Sequence, residues 1–329
     1  MANLDSVKIK FPNECINSFS TEFIHKPNYQ NKVLIKDELQ CKNQSIVGLN
    51  QITIDNIHET TTLELSAKIL KSNYIKGINQ NTIGEAINNI NNTEIIHLNV
   101  NKIIDFAEVL RCDVTDNIKP ESNSQLFYKT LSSLPIPRKY ETSLFNTKTN
   151  LGVVWKGNQK SFKERQIFYD KCKQLATDKL LRGKPYASKI YNDFKEVVRV
   201  ETNLASYKTI NQYLGSRKLN EVLASTEKVN YRIFSKITKS ITECDLKLFT
   251  EFEGMKFGAI RKRLGDEGII KLNNYDWNKI EHFIRTFNPN NYRHYKNELK
   301  HVYNDLKTKR GDYNVNIIEH VKELLLNVA

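Results

Sequence analysis

Three carboxylates stand alone inside apolar, alternating runs: Glu64 between Leu63 and Leu65, Asp113 between Cys112 and Val114, and Glu201 between Val200 and Thr202. Successive side chains of a strand point to opposite faces, so each acid lies on the face away from its apolar neighbours. Asp113 shares its face with Arg111 and Thr115, and Glu201 shares its face with Arg199 and Asn203. Tyr169 ends another strand-like run and is followed by Asp170 and Lys171. Taken singly, each acid reads as the solvated side of an antiparallel sheet, and Tyr169 as an ordinary core or surface tyrosine. Gathered on one face, the carboxylates would bind a hard divalent cation through oxygen. A tyrosine beside such an ion could attack phosphorus. Spacing alone does not show whether they converge.

The elements that must position these groups follow from periodicity. Val7–Phe11, Lys32–Ile35, Leu63–Leu65 and Val109–Thr115 read as strands. Ile83, Ile87 and Ile90 recur at helical spacing, with Thr82 and Glu85 offering a capping box. Residues 94–100 read as a short strand. Around Pro120, Pro135 and Pro137 a helix is expected first and an extended or turned segment after it. Residues 151–155 and 165–169 form a predicted hairpin across the polar loop KGNQKSFKE. A lysine-rich helix is expected over about 171–195 and a strand over 196–204. Beyond these, Leu246/Phe249/Phe252 and Ile280/Phe283/Ile284/Phe287 repeat at helical spacing and read as core. Strands before about 205 and helices after imply an α+β protein, with a mainly antiparallel central sheet in residues 1–210 and a mainly helical domain in 211–329.

The length of 329 residues fits about two domains. Lys and Arg number 50 against 37 Asp and Glu, a net charge of +13. Such an excess favours a polyanionic partner, nucleic acid first, because cations gain affinity by releasing counterions from phosphates. No strongly basic amphipathic helix points to a membrane surface, no apolar run nears the ~20 residues a bilayer needs, and no apolar leader is visible. A cytoplasmic protein is expected. The five cysteines, at 15, 41, 112, 172 and 244, are odd in number and lack CxxC spacing, so neither a disulfide framework nor a zinc site is indicated. Lys156, Lys160, Lys163, Arg165, Lys171, Lys173 and Lys179 are interleaved with Trp155, Phe162 and Phe168, with Tyr186 and Tyr191 further on. These rings could stack on unpaired bases for roughly 1–3 kcal/mol each, although any one charge run also suits a solvated face. Arg261-Lys262-Arg263 and Lys307–Arg310 add further basic groups.

Four stretches in order, LELSAKIL, RCDVTDNI, RQIFYDKCKQL and VVRVETNL, together with the later TINQYLG, carry a family likeness. They resemble the gene II/X replication initiators of filamentous phages and related plasmids, relatives of the HUH rolling-circle endonucleases. The likeness covers about residues 60–215. It departs at Asp116-Asn117, where the family has Phe-Ser, and in VRVETNL, which lacks a second Arg. The His-apolar-His pair of the wider superfamily is absent; Ile96-His97-Leu98 has one histidine, read as a structural strand residue.

The resemblance implies a Rep-like nuclease core and a site-specific DNA nickase and strand transferase. Tyr169 would be the nucleophile, forming a 5′-phosphotyrosyl intermediate, and Lys171 a cation beside the phosphate. Asp113, Glu201 and Glu64 would be the acidic ligands of Mg²⁺ or Mn²⁺. Lys156, Lys160, Lys163, Arg165, Arg199 and Arg111 are the expected DNA contacts. The partners implied are single-stranded or origin DNA and a host helicase or polymerase, inside a bacterial cell. Two alternatives are a non-enzymatic, origin-binding initiator of the winged-helix type and a protein that merely coats nucleic acid.

Overall fold

The computed structural model describes residues 2–30, 33–41, 46–120, 124–134, 136–145, 152–157, 164–239, 241, 256–273, 276–312 and 317–327. The fold is α+β. Its strands are β1 (Asn3–Pro12), β2 (Ile16–Phe19), β3 (Ile24–Gln30), β4 (Val33–Cys41), β5 (Leu49–Asp55), β6 (Thr60–Ser66), β7 (Ile96–Leu98), β8 (Glu108–Ile118), β9 (Tyr140–Phe145), β10 (Gly152–Gly157), β11 (Glu164–Asp170) and β12 (Val198–Leu204). Ten of them form one sheet in the order β3-β4-β5-β6-β1-β8-β12-β11-β10-β9, while β2 and β7 form a small ribbon. The pairings within both sheets are antiparallel.

Between β6 and β9 the chain forms α1 (Ile83–Asn91), α2 (Val100–Phe106) and α3 (Ser124–Ser133), and between β11 and β12 it forms α4 (Lys171–Ala176) and α5 (Ala187–Asp193). After β12 come α6 (Tyr207–Leu214), α7 (Leu219–Ala224) and α8 (Val229–Thr238), followed by α9 (Phe257–Leu272), α10 (Trp277–Phe287), α11 (Tyr292–Asp312) and α12 (Ile317–Asn327). The chain divides into two compact units, one of Met1–Ser132, Ile136–Ser240 and Val321–Ala329, the other of Ser133–Pro135 and Ile241–His320.

Strand alternation gives the large sheet one apolar face. Val7, Ile9 and Phe11 of β1, Leu63 and Leu65 of β6, Cys112 and Val114 of β8, Val198, Val200 and Leu204 of β12, Phe168 of β11 and Trp155 of β10 are all buried. Each such side chain contributes roughly 1.5–3 kcal/mol on burial. Helix α8 covers the middle of this face: Trp155 stacks on Phe234 with ring centroids 5.6 Å apart, and Phe168 meets the same ring edge-on at 5.9 Å. Asn230 of α8 supplies the polar anchor. Its Nδ2 donates to Asp116 Oδ2 at 3.0 Å, its Oδ1 accepts from Thr202 at 2.6 Å, and its backbone carbonyl accepts from Gln166 at 3.0 Å. A buried amide so placed is stabilising only because its donors and acceptors are satisfied.

Several expected elements take a different form. The expected 171–195 helix is two short ones, α4 and α5, because the intervening chain holds Gly183 at φ +81° and Pro185, neither suited to a continuous helix. The Thr82–Glu85 capping box does not form: Thr82 Oγ1 donates to the Gly77 carbonyl at 2.7 Å, and Glu85 accepts from Asn73 instead. The 94–100 strand shrinks to β7, since Glu94 sits at φ +60° and Asn99 turns the chain to cap α2, accepting from Lys102 N at 3.1 Å. Leu246, Phe249 and Phe252 lie outside the described residues, as do Lys160, Phe162 and Lys163.

Candidate active site

Strand register places the predicted groups on the face of the sheet opposite the apolar one. Glu201 of β12 pairs with Ile167 of β11 and Thr115 of β8. One step along, Arg199 pairs with Tyr169 and Asn117; one step the other way, Asn203 pairs with Arg165 and Asp113. Across the next strands, Ser6 lies opposite Asp113, and Lys8 opposite both Arg111 and Glu64. Lys156 of β10 lies opposite Arg165. Glu64, Arg111, Asp113, Lys156, Arg165, Tyr169, Arg199 and Glu201 therefore share one face.

Tyr169 needs a bare neighbour. Gly152 of β10 pairs with it, and a Cβ on Gly152 would lie 1.9 Å from the Phe168 carbonyl oxygen and 2.7 Å from Tyr169 Cα. Only glycine lets the strands close there. The Tyr169 ring packs on Phe145, centroids 4.7 Å apart, with Val154 and Ile167 beside it.

The other half of the site comes from a bulge. Between Leu4 and Ser6 the β1–β8 register slips, so that Asp5 is an extra residue in β1. Bulges of this kind re-aim a side chain. Asp5 joins the polar face and accepts from Arg199 Nη1, from Lys171 Nζ at 3.3 Å and from Tyr74 OH at 2.9 Å. Tyr74 comes from the 3₁₀ segment Ala67–Lys76 and packs on Phe194, whose ring also carries the Arg199 guanidinium. Lys171, the first residue of α4, donates to Tyr169 OH at 3.1 Å, and Tyr169 OH donates to Glu201 Oε2 at 2.9 Å. A continuous chain runs Arg199–Asp5–Lys171–Tyr169–Glu201.

Burial sets the electrostatics of this chain. Tyr169 is 3% exposed, and Lys171 and Arg199 are each 2% exposed. Burial penalises the charged form of Asp5, yet Lys171 and Arg199 outweigh it and hold the carboxyl well below its ordinary value. Lys171 is pushed down to about 8, by burial first and by Arg199 beside it, with Asp5 opposing. Glu201 is raised to about 7 by burial and by the neighbouring Asp5 and Asp113 carboxylates. Burial and the Glu201 carboxylate push the Tyr169 phenol well above its ordinary value. A buried phenol thus faces a carboxyl raised to about 7 and an ammonium lowered to about 8.

The remaining predicted residues are placed apart. Asp113 accepts from Ser6 Oγ and Asn203 Nδ2, with Arg111 at 3.9 Å, and burial raises its pKa. Glu64 pairs with Lys8 at 3.4 Å and stands two strands from β8, roughly 10 Å away. Among the described residues, no three His, Cys, Asp or Glu side chains are grouped to hold a metal ion. Glu64, Asp113 and Glu201 share a face without sharing a point, and as a set of three they do not fit one ion. Of the expected DNA contacts, Arg111, Lys156 and Arg165 are exposed, whereas Arg199 is sealed against Asp5 and does not reach the surface. His97 is an exposed residue of β7.

Asp5 and Tyr74 escape the sequence pattern. The only sign of Asp5 was its phase: in a strand that buries Val7, Ile9 and Phe11, an odd-numbered acid belongs on the apolar face unless a bulge turns it away.

No protein-family model matches the chain, and no curated protein matches it. Among solved structures it is similar to the rolling circle replication initiator protein from Geobacillus stearothermophilus, at 10% identity and a TM-score of 0.33, over 73% of this chain and 84% of that one.

Proposed function

We propose that this protein is a rolling-circle replication initiator that nicks DNA through Tyr169. The observation that supports this reading best is the chain Lys171–Tyr169–Glu201 on a sheet face shared with Asp113 and three exposed arginine and lysine side chains. In this reading Glu201 takes the phenol proton as a general base, and Lys171 stabilises the phenolate. The phenolate oxygen then bonds to phosphorus while the bond to the 3′ oxygen breaks. That oxygen leaves as a 3′-hydroxyl, using the proton held on Glu201, and the 5′ end stays on Tyr169. Asp5 and Arg199 keep Lys171 in position. Arg111, Lys156 and Arg165 would hold the flanking phosphates of single-stranded or origin DNA, for extension by a host polymerase and unwinding by a host helicase. The expectation of Mg²⁺ or Mn²⁺ carries no step here, because its three proposed ligands do not meet.

One observation favours the non-enzymatic reading. Tyr169 is buried with its hydroxyl engaged on both sides, as a purely structural tyrosine would be. The two readings separate in one assay. The full chain is incubated with a randomised single-stranded oligonucleotide library, with and without Mg²⁺ or Mn²⁺, and SDS-stable protein–DNA adducts are scored. The nickase reading expects an adduct from the native protein and none from Tyr169→Phe. An adduct persisting in Tyr169→Phe moves the nucleophile elsewhere, with Tyr186 and Tyr191 the next tyrosines along the chain. No adduct from the native protein under any condition overturns nicking and leaves origin binding alone.

A further inference from the structure

The second compact unit has its own core. Ile270 of α9, Ile280 and Ile284 of α10, and Leu299 and Val302 of α11 are buried together, with Trp277, Tyr292 and Tyr303 packed against them. Asp276 caps α10, accepting from Asn278 N at 2.9 Å, and the short 3₁₀ turn Pro289–Asn291 joins α10 to α11. The three helices thus share one core, with α10 and α11 joined by a short turn.

With Leu299 and Val302 facing inward, the opposite side of α11 carries Arg293, Asn297, Lys300, His301 and Asn304, all exposed. Arg293, Asn297, Lys300 and Asn304 follow at intervals of four, three and four residues, which stacks them on one stripe roughly 16 Å long. No carboxylate lies on that stripe between 292 and 304. The acid of this stretch, Glu298, is turned aside to Lys262, which it meets at 2.5 Å. Lys296 is likewise taken up by Glu281 at 2.5 Å. Among the described residues neither Arg293 nor Lys300 has a carboxylate partner; Lys300 lies 5.9 Å over the Trp277 ring.

We propose that α11 is a reading helix for duplex DNA. A helix fits the major groove, about 12 Å wide, and Arg and Asn have the donor geometry that matches guanine and adenine edges there. Lys300 and His301 supply contacts suited to the flanking phosphates. This surface lies in a different compact unit from Tyr169, so it gives the chain a duplex-binding function that stands whether or not Tyr169 cuts DNA.

The test uses the full chain and a short fluorescent duplex of mixed sequence. Arg293→Gln with Lys300→Gln should reduce the salt slope of binding by about 1.8. Between 50 and 200 mM NaCl the double variant would then lose about 12-fold less affinity than the native protein. Asn297→Ala should keep the native salt slope. On a duplex that the native protein selects from a randomised library, it should lose about 5- to 150-fold of its preference over a scrambled one. Circular dichroism confirms that the helices persist, and adduct formation on single strands is followed in parallel and should not change. An unaltered salt slope in the double variant overturns the proposal. So does tighter native binding to the single strand of the same sequence with the same loss in the variant, and so does an absence of duplex binding by the native protein. An absence of adduct with duplex binding intact sinks the nickase reading and leaves this one standing.

Discussion

Replacing Asp5 with Asn is the most searching test of how the site is built. The change keeps the shape and leaves an acceptor for Tyr74, but removes the charge that Arg199 and Lys171 share. Both cations are 2% exposed, so neither can turn to water. Breaking a buried ion pair from one side costs about 3–5 kcal/mol, because a charge is left without its partner. That is a large part of the roughly 5–15 kcal/mol that holds a native protein together. With an m-value of about 3 kcal/mol/M, the urea midpoint should fall by about 1–1.7 M.

The loss should depend on pH. Lys171 already titrates at about 8 rather than 10.5, and without Asp5 it is pushed lower still. Over the interval between its folded and unfolded values the unfolded chain binds more protons, so stability rises with pH there. The interval widens downward in the variant, so the gap from the native protein should narrow as pH rises from 6 to 9. Adding Arg199→Met to Asp5→Asn removes the stranded guanidinium and should recover part of the loss. Urea melts of the four proteins at both pH values, followed by circular dichroism, complete the double-mutant cycle. A midpoint within 0.2 M of the native one, or no recovery in the double variant, would refute the claim that Asp5 anchors both cations.

Three further outcomes are expected. Gly152→Ala pushes a methyl into the Phe168 carbonyl and Tyr169 Cα, so it should destabilise by about 1–3 kcal/mol and alter the near-ultraviolet signal of the Tyr169 region; a native melt would show that the strands can separate there without cost. Asp116, lifted from 3.8 to about 6 by burial against the opposing Asn230 bond, makes the native state bind more protons than the unfolded one between those values. Its part of the stability is lost as pH rises through that window, so Asp116→Asn should be more stable at pH 7 by up to about 3 kcal/mol, with a flatter profile from pH 4 to 6. Glu201 adds a like trend between 4.5 and about 7 that the variant retains. Finally, EDTA separates metal from protein cations at the site: if Lys171 and Glu201 suffice, adduct formation survives chelation, whereas its abolition and rescue by Mn²⁺ would restore Asp113 and Glu201 as ligands.

Much of the first unit was legible along the chain, because alternation is a local property. Leu63-Glu64-Leu65, Cys112-Asp113-Val114 and Val200-Glu201-Thr202 each announce which side faces the core, and the helices after β12 follow from apolar spacing. The hairpin that carries Tyr169 was readable for the same reason. What the chain could not show is which strands become neighbours and in what register. Tertiary pairing alone set Glu201 against Ile167 and Thr115, left Glu64 two strands away with Lys8, and sank Arg199 beneath Asp5. Asp5 is the clearest case: a single slipped residue reverses the face on which its side chain lies, and no local periodicity records a slip that only the partner strand defines.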